Sequence, residues 1–258
     1  VARGDYSHQV PRQGPAEVQA VAEAFNLMVK EVQSTQQSQR DFLANVSHDL
    51  KTPLTSIQGY AQAIIDDAIR DPVVAAEVIY SEADRLTRMV MQLTDLAQLQ
   101  SGRVALTLAH FDVTALVQAL IQRIEVVARQ KDIQFSLRAN GAVYLRADGD
   151  RLAQVITNLL SNAVKFTPEG GRVEVGVYPL DSGVEITVRD SGIGIPQAEL
   201  GRVFERFYQI DKARGPQRGF GLGLAISREI VAAHKGRIAV TSDGEGRGTT
   251  FTVWLPNG

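Results

Sequence analysis

Phe42-Leu-Ala-Asn-Val-Ser-His-Asp-Leu-Lys-Thr-Pro-Leu54 decides how the first hundred residues are read. Leu43, Val46 and Leu50 fall at steps of three and four, the rhythm of one helix face, and Ile57, Ala61 and Ile64 carry it on. At about 100° per residue, His48 lies roughly 200° from both Val46 and Leu50, so it points away from that face. Asp49 follows directly and Thr52 stands one turn further along. Pro53 removes the hydrogen bond to the Asp49 carbonyl and is expected to interrupt the helix. An imidazole with a pKa of about 6.5 keeps one ring nitrogen unprotonated at neutral pH, where it can act as a nucleophile. A carboxylate at the other nitrogen fixes the tautomer and stabilises the charge that develops on attack, a role Asp49 is placed to fill. The three other histidines have local explanations. His8 lies in a polar segment, His110 at a loop–strand junction and His234 at a helix C-terminus.

Upstream, Val18, Val21, Phe25, Met28 and Val32 alternate steps of three and four, the seam of a coiled coil, which polar Thr35 and Gln39 interrupt. Downstream, Asp71-Pro72 marks a turn and a new helix start. Ile79, Leu86, Met89, Leu93 and Leu96 line one side of that second helix. Two such helices form a hairpin whose apolar stripe is left over. Two copies are therefore expected to pair as a homodimeric four-helix bundle.

Ser101-Gly102 closes the helical part, and most glycines lie beyond it. Strands are expected at Ile133–Arg138, Val143–Arg146, Arg172–Tyr178, Val184–Asp190, Arg237–Thr241 and Thr249–Leu255, with hairpin connections at Asp181-Ser-Gly183 and Asp243-Gly-Glu-Gly246. Helices are expected at Val113–Gln130, Asp150–Phe166 and Gly221–His234, the last closed by His234-Lys235 with Gly236 at C′. This mixture predicts an α/β sandwich with a mixed sheet. The bulk numbers fit a multidomain globular chain: 258 residues, 44% hydrophobic and 22% charged. A net charge of -2 supplies no broad basic field for nucleic acid, and the absence of cysteine excludes disulfides and thiolate metal sites. No run of apolar residues is long enough to span a membrane. The chain starts at Val1 without a methionine, so it is read as a piece of a longer protein.

Three segments of the second half carry chemistry, and neither a GxxxxGK[ST] loop nor the protein-kinase motif set is among them. In Gln154-Val-Ile-Thr-Asn-Leu-Leu-Ser-Asn-Ala-Val-Lys-Phe166, Asn158 and Asn162 are spaced i,i+4 on one helix face, with Lys165 three further on. Amide oxygens are hard ligands suited to Mg²⁺ and a lysine can hold a phosphate, though two helical asparagines alone are more often surface polar residues. In Asp190-Ser-Gly-Ile-Gly-Ile-Pro196 a strand-end carboxylate could accept a hydrogen bond from an adenine amino group, although the segment alone reads as a turn. Gly219-Phe-Gly-Leu-Gly-Leu224 opens a helix, whose N-terminal N–H groups favour phosphate; by itself it could be a flexible loop.

Taken together, the chain resembles a sensor histidine kinase of two-component systems. The segment around His48 matches the phosphoacceptor box. The other three, in this order, resemble the N box and the two glycine boxes of the GHKL superfamily, whose ATP-binding domain has the Bergerat α/β sandwich fold. Phe204-Glu-Arg-Phe-Tyr208 matches the phenylalanine box, Thr249-Thr-Phe251 the closing strand, and Glu17–Met28, more weakly, the second helix of a HAMP module. The resemblance implies a partial HAMP helix and coiled coil over residues 1–36, a dimerisation and phosphotransfer hairpin over 37–102, and a catalytic domain over 103–258. It implies that His48 is phosphorylated, that Asp49 is its acid/base neighbour, and that Thr52 positions water when the partner is dephosphorylated. It further implies ATP and Mg²⁺ as cofactors: Asn158 and Asn162 at the metal, Lys165 and Phe166 beside the nucleotide, and Asp190 with Gly192, Gly194 and Ile195 at adenine. Tyr208 and Thr250 would lie near the nucleotide, Gly219, Gly221, Leu222, Gly223 and Leu224 over the phosphates, and Gln209–Arg218 would form a mobile lid.

The implied partners are a second copy and the receiver domain of a response regulator. The implied parent protein is anchored in the inner membrane by a missing N-terminal segment, with this portion cytoplasmic. One departure bears on chemistry: gyrase- and chaperone-type relatives carry a water-activating glutamate where this chain has Asn158. An amide cannot act as that base, which favours transfer to histidine over hydrolysis. Two other readings stay open at this stage, an ATP-driven conformational machine without phosphohistidine and a scaffold that binds without turnover.

Overall fold

The computed structural model describes residues 10, 11, 13, 15–100, 106–210 and 220–257. His8, Ser101-Gly102, Gly219 and lid residues 211–218 lie outside them, as do the side chains of Thr35 and Gln39. The chain divides into two units, Val1–Leu86 and Thr87–Gly258.

The first unit is built on α1 (Ala16–Ile65), one helix of 50 residues that runs without a break through both expected interruptions. Polar residues cost a helix only tenths of a kcal/mol each through propensity, so the 35–39 stretch changes what the helix can pack against without ending it. Pro53 lies inside α1, deletes one hydrogen bond and is itself buried. Val46, Leu50, Ile57, Ala61 and Ile64 face partly inward as expected, whereas Leu43 is exposed.

The upstream stripe faces outward from the single chain, as residues that meet a partner helix do. Val18, Val21, Phe25, Met28 and Val32 are exposed in the single chain, and the buried residues of that stretch are Ala22 and Val29. The Val10 N–H donates to Asn26 Oδ1 (2.8 Å) and Asn26 Nδ2 donates back to the Val10 carbonyl (2.9 Å). After the turn, Asp71 accepts from the Val73 N–H (3.0 Å) at the start of α2 (Pro72–Gln100). Ile79 and Leu86 are half-buried in this unit, and further along α2 Leu93 is half-buried and Met89 and Leu96 are buried within the second.

The second unit holds the last turns of α2 and an α/β sandwich. Its main sheet runs β2-β4-β5-β7-β6, from Gln134–Ala139, Arg172–Leu180, Gly183–Asp190, Thr249–Pro256 and Arg237–Thr241. Only β2 and β4 pair in parallel, so the sheet is mixed, and both expected hairpins form. A strand the sequence reading missed, β1 (Ala109–Asp112), pairs antiparallel with β3 (Tyr144–Ala147) and puts His110 opposite Arg146, inside a strand and not at its junction. Four residues are too few for a periodicity signal. Helix α3 (Val113–Ala128) ends two residues early in a 3₁₀ turn, and its N-cap Asp112 accepts from the Thr114 and Ala115 N–H groups. Helices α4 (Gly149–Phe166) and α5 (Gly223–Ala233) pack on each other and on the sheet. Leu152, Ile156, Leu159, Leu160, Ile186, Leu222, Ile226, Ile230 and Leu255 make the fully buried core. Burying each such side chain contributes about 1.5–3 kcal/mol.

Helix ends explain two further differences. Gly221 has φ +67°, a left-handed conformation that ends the loop, so α5 starts at Gly223 and not at Gly221. At the other end Lys235, not Gly236, takes the left-handed position (φ 59°), and the Gly236 N–H reaches back to the Val231 carbonyl. His234 does more than complement the helix end. Its Nδ1 meets the Ile230 carbonyl (2.8 Å) and its Nε2 accepts from the Asp148 N–H (3.0 Å), which fixes the neutral Nδ1–H tautomer.

Candidate active site

The two chemical centres lie in different units. On α1, the His48 side chain is 81% exposed, and its Nδ1 lies 3.3 Å from Asp49 Oδ1. A carboxylate only accepts, so Nδ1 carries the proton and Nε2 presents its lone pair to solvent. Thr52 Oγ1 donates to the His48 carbonyl (3.3 Å), which seats its hydroxyl one turn along the same face. Ser47 makes the corresponding bond to the Leu43 carbonyl. The surroundings of His48 are local to one helix and open to solvent.

In the second unit α4 turns its leucines and valines into the core and leaves Asn158, Asn162 and Lys165 half-buried on one face. Asp148 caps the start of α4 by accepting from the Arg151 N–H (3.1 Å) and also from the Thr107 N–H (2.9 Å). Burial alone pushes its carboxyl up. The bonds from the Arg151 and Thr107 N–H groups, with the charge of Arg151, outweigh that and hold it below its ordinary value. Asp95 near the end of α2 adds a second tie, accepting from Arg151 Nη1 (3.2 Å) and Gln154 Nε2 (2.9 Å). Lys131 closes the other end of α4, donating to the carbonyls of Val164 (3.0 Å) and Lys165 (3.1 Å). Burial lowers the pKa of Lys165, whose Nζ sits 4.9 Å above the Phe166 ring.

Asp190 ends β5 and is 7% exposed. Its Oδ1 accepts from the N–H groups of Gly192 (2.8 Å) and Thr249 (3.2 Å), which leaves Oδ2 open to a ligand donor among the described residues. Burial raises its pKa against the lowering effect of those two bonds. The loop after it is pinned on both sides. The Ile193 N–H donates to the Phe166 carbonyl (3.1 Å) and the Ile195 N–H to Ser242 Oγ (3.0 Å). Ser242 Oγ in turn donates to the Gly248 carbonyl (2.6 Å), and the Gly248 N–H reaches the Gly192 carbonyl (3.0 Å). Gly194 has φ +70°, and a side chain there would strike the Gly244 carbonyl.

The third wall is the start of α5. The Phe207 N–H donates to the Gly221 carbonyl (3.0 Å), joining the Phe204–Tyr208 segment to this loop, and the Arg202 guanidinium stacks 4.3 Å over the Tyr208 ring. Phe204 meets Phe251 edge-on at 6.3 Å. Leu222, fully buried, leaves the helix without a side-chain cap. Across from it, Asn158 Nδ2 donates to the Gly223 carbonyl (3.2 Å).

The two threonines of the closing strand lie on opposite faces of the sheet. Thr249 pairs with Asp190 and shares its buried side, whereas Thr250 pairs with Arg189 on the opposite face of the sheet. Asp148, Lys131 and Ser242 were not singled out: an Asp before a helix start could have marked Asp148, whereas Lys131 and Ser242 act on segments 33 and 47 residues away. Gly219 lies outside the described residues.

Comparison with known proteins agrees with this layout. The family model for the His Kinase A (phospho-acceptor) domain matches residues 38–102, and the one for the histidine kinase-, DNA gyrase B- and HSP90-like ATPase matches residues 147–258. The chain belongs to the sensor histidine kinases. It is 37% identical over 234 residues to the sensor histidine kinase WalK of Bacillus subtilis (strain 168), covering 88% of this chain and 38% of that protein. The chain thus spans well under half the length of that relative. Among solved structures, a mycobacterial sensor histidine kinase, MprB, is 32% identical with a TM-score of 0.51, covering 58% of this chain and 97% of that one. Full-length ShkA in complex with AMPPNP is 30% identical with a TM-score of 0.65, covering 84% of this chain and 45% of that one. No described helix is long and apolar enough to cross a membrane.

Proposed function

We propose that this chain uses ATP to phosphorylate His48 and then passes the phosphoryl group to an aspartate of a response-regulator receiver domain. The observation that carries the reading is the pairing of an outward, tautomer-fixed imidazole with an adenine-type carboxylate site in one chain. His48 Nε2 attacks the γ-phosphorus, an N–P bond forms as the bond to the β,γ-bridging oxygen breaks, and ADP leaves. Asp49 stabilises the charge that builds on the ring through Nδ1. Positioning and charge neutralisation supply most of such a rate, so Lys165 contributes through its charge on the phosphates. Asp190 Oδ2 reads the adenine amino group, and the uncapped start of α5 faces negative charge favourably.

Mg²⁺ fits the donor set. The described residues contain no cluster of three or more acidic, histidine or cysteine groups, and Mg²⁺ commonly takes one or two protein oxygens with substrate phosphates and water. Asn158 and Asn162 offer such oxygens, and the ion when bound would offset phosphate charge. With an amide and not a carboxylate at position 158, no general base for water stands on this face of α4, which favours transfer over hydrolysis. The exposed apolar residues Val18, Val21, Met28 and Leu54 support a homodimer through the helical unit. Thr52, seated beside His48, would orient water in dephosphorylation of the partner. A membrane-anchored parent with this portion in the cytoplasm completes the reading.

Incubation with γ-labelled ATP and Mg²⁺ tests it. The label should be acid-labile, base-stable and absent from His48→Gln. Persistent labelling of that variant would contradict the assignment.

A further inference from the structure

Asn158 is held at one end. Its Nδ2 donates to the Gly223 carbonyl (3.2 Å) and lies 3.4 Å from Ser227 Oγ. Ser227 is 0% exposed, one turn into α5, and its own hydroxyl donates to the same Gly223 carbonyl (3.0 Å). A hydroxyl has one proton. With that proton spent on Gly223, Ser227 meets Asn158 only as an acceptor. Both groups at this end of the amide are therefore acceptors, and the amide seats nitrogen-first. Turned over, Oδ1 would face the Gly223 carbonyl and could accept from Ser227 only by breaking the Ser227–Gly223 bond.

This matters because of what stands at position 158. A carboxylate presents an oxygen whichever way it turns. An amide presents one only when its nitrogen is held elsewhere. We infer that Ser227 is a positioning residue for the divalent cation of the bound nucleotide: by anchoring Nδ2 it keeps Asn158 Oδ1 clear of the two acceptors, beside Gly223 at the start of α5. The same bonds join α4 to the first turn of α5. The inference rests on the Mg²⁺ reading of Asn158 given above.

The test is calorimetric binding of a non-hydrolysable ATP analogue to the whole chain, across Mg²⁺ concentrations and in EDTA. Ser227→Ala, a favourable substitution inside a helix, should raise the Mg²⁺ midpoint about three- to tenfold, the worth of one hydrogen bond. Affinity in EDTA should not change. Ser227→Cys, which keeps the shape with a weaker acceptor, should fall between and carries the test if the alanine variant does not fold. In an Asn158→Ala background, Ser227→Ala should add nothing. Equal loss with and without Mg²⁺, an unmoved midpoint, or an additive effect on Asn158→Ala overturns the role of Ser227. If Asn158→Ala itself leaves the midpoint unmoved, the metal reading of Asn158 fails and takes this inference with it. If Asn158→Ala moves it and Ser227→Ala does not, only Ser227 is wrong.

Discussion

His48 and Asp190 are the two ends of the proposed reaction, and the structure treats them oppositely. The imidazole takes its recorded side-chain contact from the next residue on the same helix and is open to solvent. The carboxylate is buried and bonded to N–H groups two and 59 positions away. The difference follows from what each must meet. A nucleophile that receives a group from one partner and gives it to another has to be reachable. A group that reads one base needs fixed direction and little competing water. Exposure at one end and burial at the other are therefore both functional.

The contrast can be broken at either end. The largest effect is expected from His48→Gln, which should reduce phosphoryl incorporation more than about a hundredfold, as loss of a covalent nucleophile does, while nucleotide affinity measured by calorimetry stays within about twofold, in line with a surface substitution. Labelling and binding falling together would mean that the two ends are not separable.

Next comes Asp190→Asn. Losing the acceptor for a charge-assisted bond should weaken ADP binding about ten- to a hundredfold. The variant amide oxygen can still accept from Gly192 and Thr249, so the ligand-free melting temperature should not fall. The sign for pH follows from the raised pKa. Between the ordinary value of 3.8 and the higher folded value, the folded chain holds more proton than the unfolded one, so this group's cost to stability shrinks as pH falls through that window. Nucleotide binding moves the other way. Affinity should start to drop on acidification above pH 3.8, and an onset at or below it would remove burial from the account.

Asp148→Ala should cost about 1–2 kcal/mol of stability in denaturant titration through loss of the α4 cap. Asp148 has a lowered pKa, so its stabilisation is complete above the unfolded value of 3.8 and is lost only as pH falls through the lower folded value. The smallest effect should come from Thr250→Ala. On the outer face of β7 it should leave nucleotide affinity within about twofold, as surface substitutions do; a larger loss would restore Thr250 to the site.

What was legible in the sequence follows the same division. The outward angle of His48 and its Asp49 neighbour needed only helical periodicity, and the structure keeps both. The hairpin turn at Asp71-Pro72 and the two β-hairpins were equally local. The helix caps were less so: Lys235 takes the position assigned to Gly236, and Gly221 belongs to the loop before α5. The Val10–Asn26 bonds were not legible, because they span 16 residues. In the nucleotide site the polar face of α4 could be read from spacing. Counting strand alternation back from Asp190 would have put Thr249, not Thr250, on the side of that carboxylate. Lys131 and Ser242 act on elements far away in sequence, and nothing near them marks that work, whereas Asp148 caps the helix that follows it.

The account stands most directly on where the phosphoryl group sits. After incubation with ATP and Mg²⁺, mass spectrometry of peptides kept at alkaline pH should place it on the peptide carrying His48 and on no other. Phosphate on His110, on His234 or on a hydroxyl, with His48 unmodified, would contradict it.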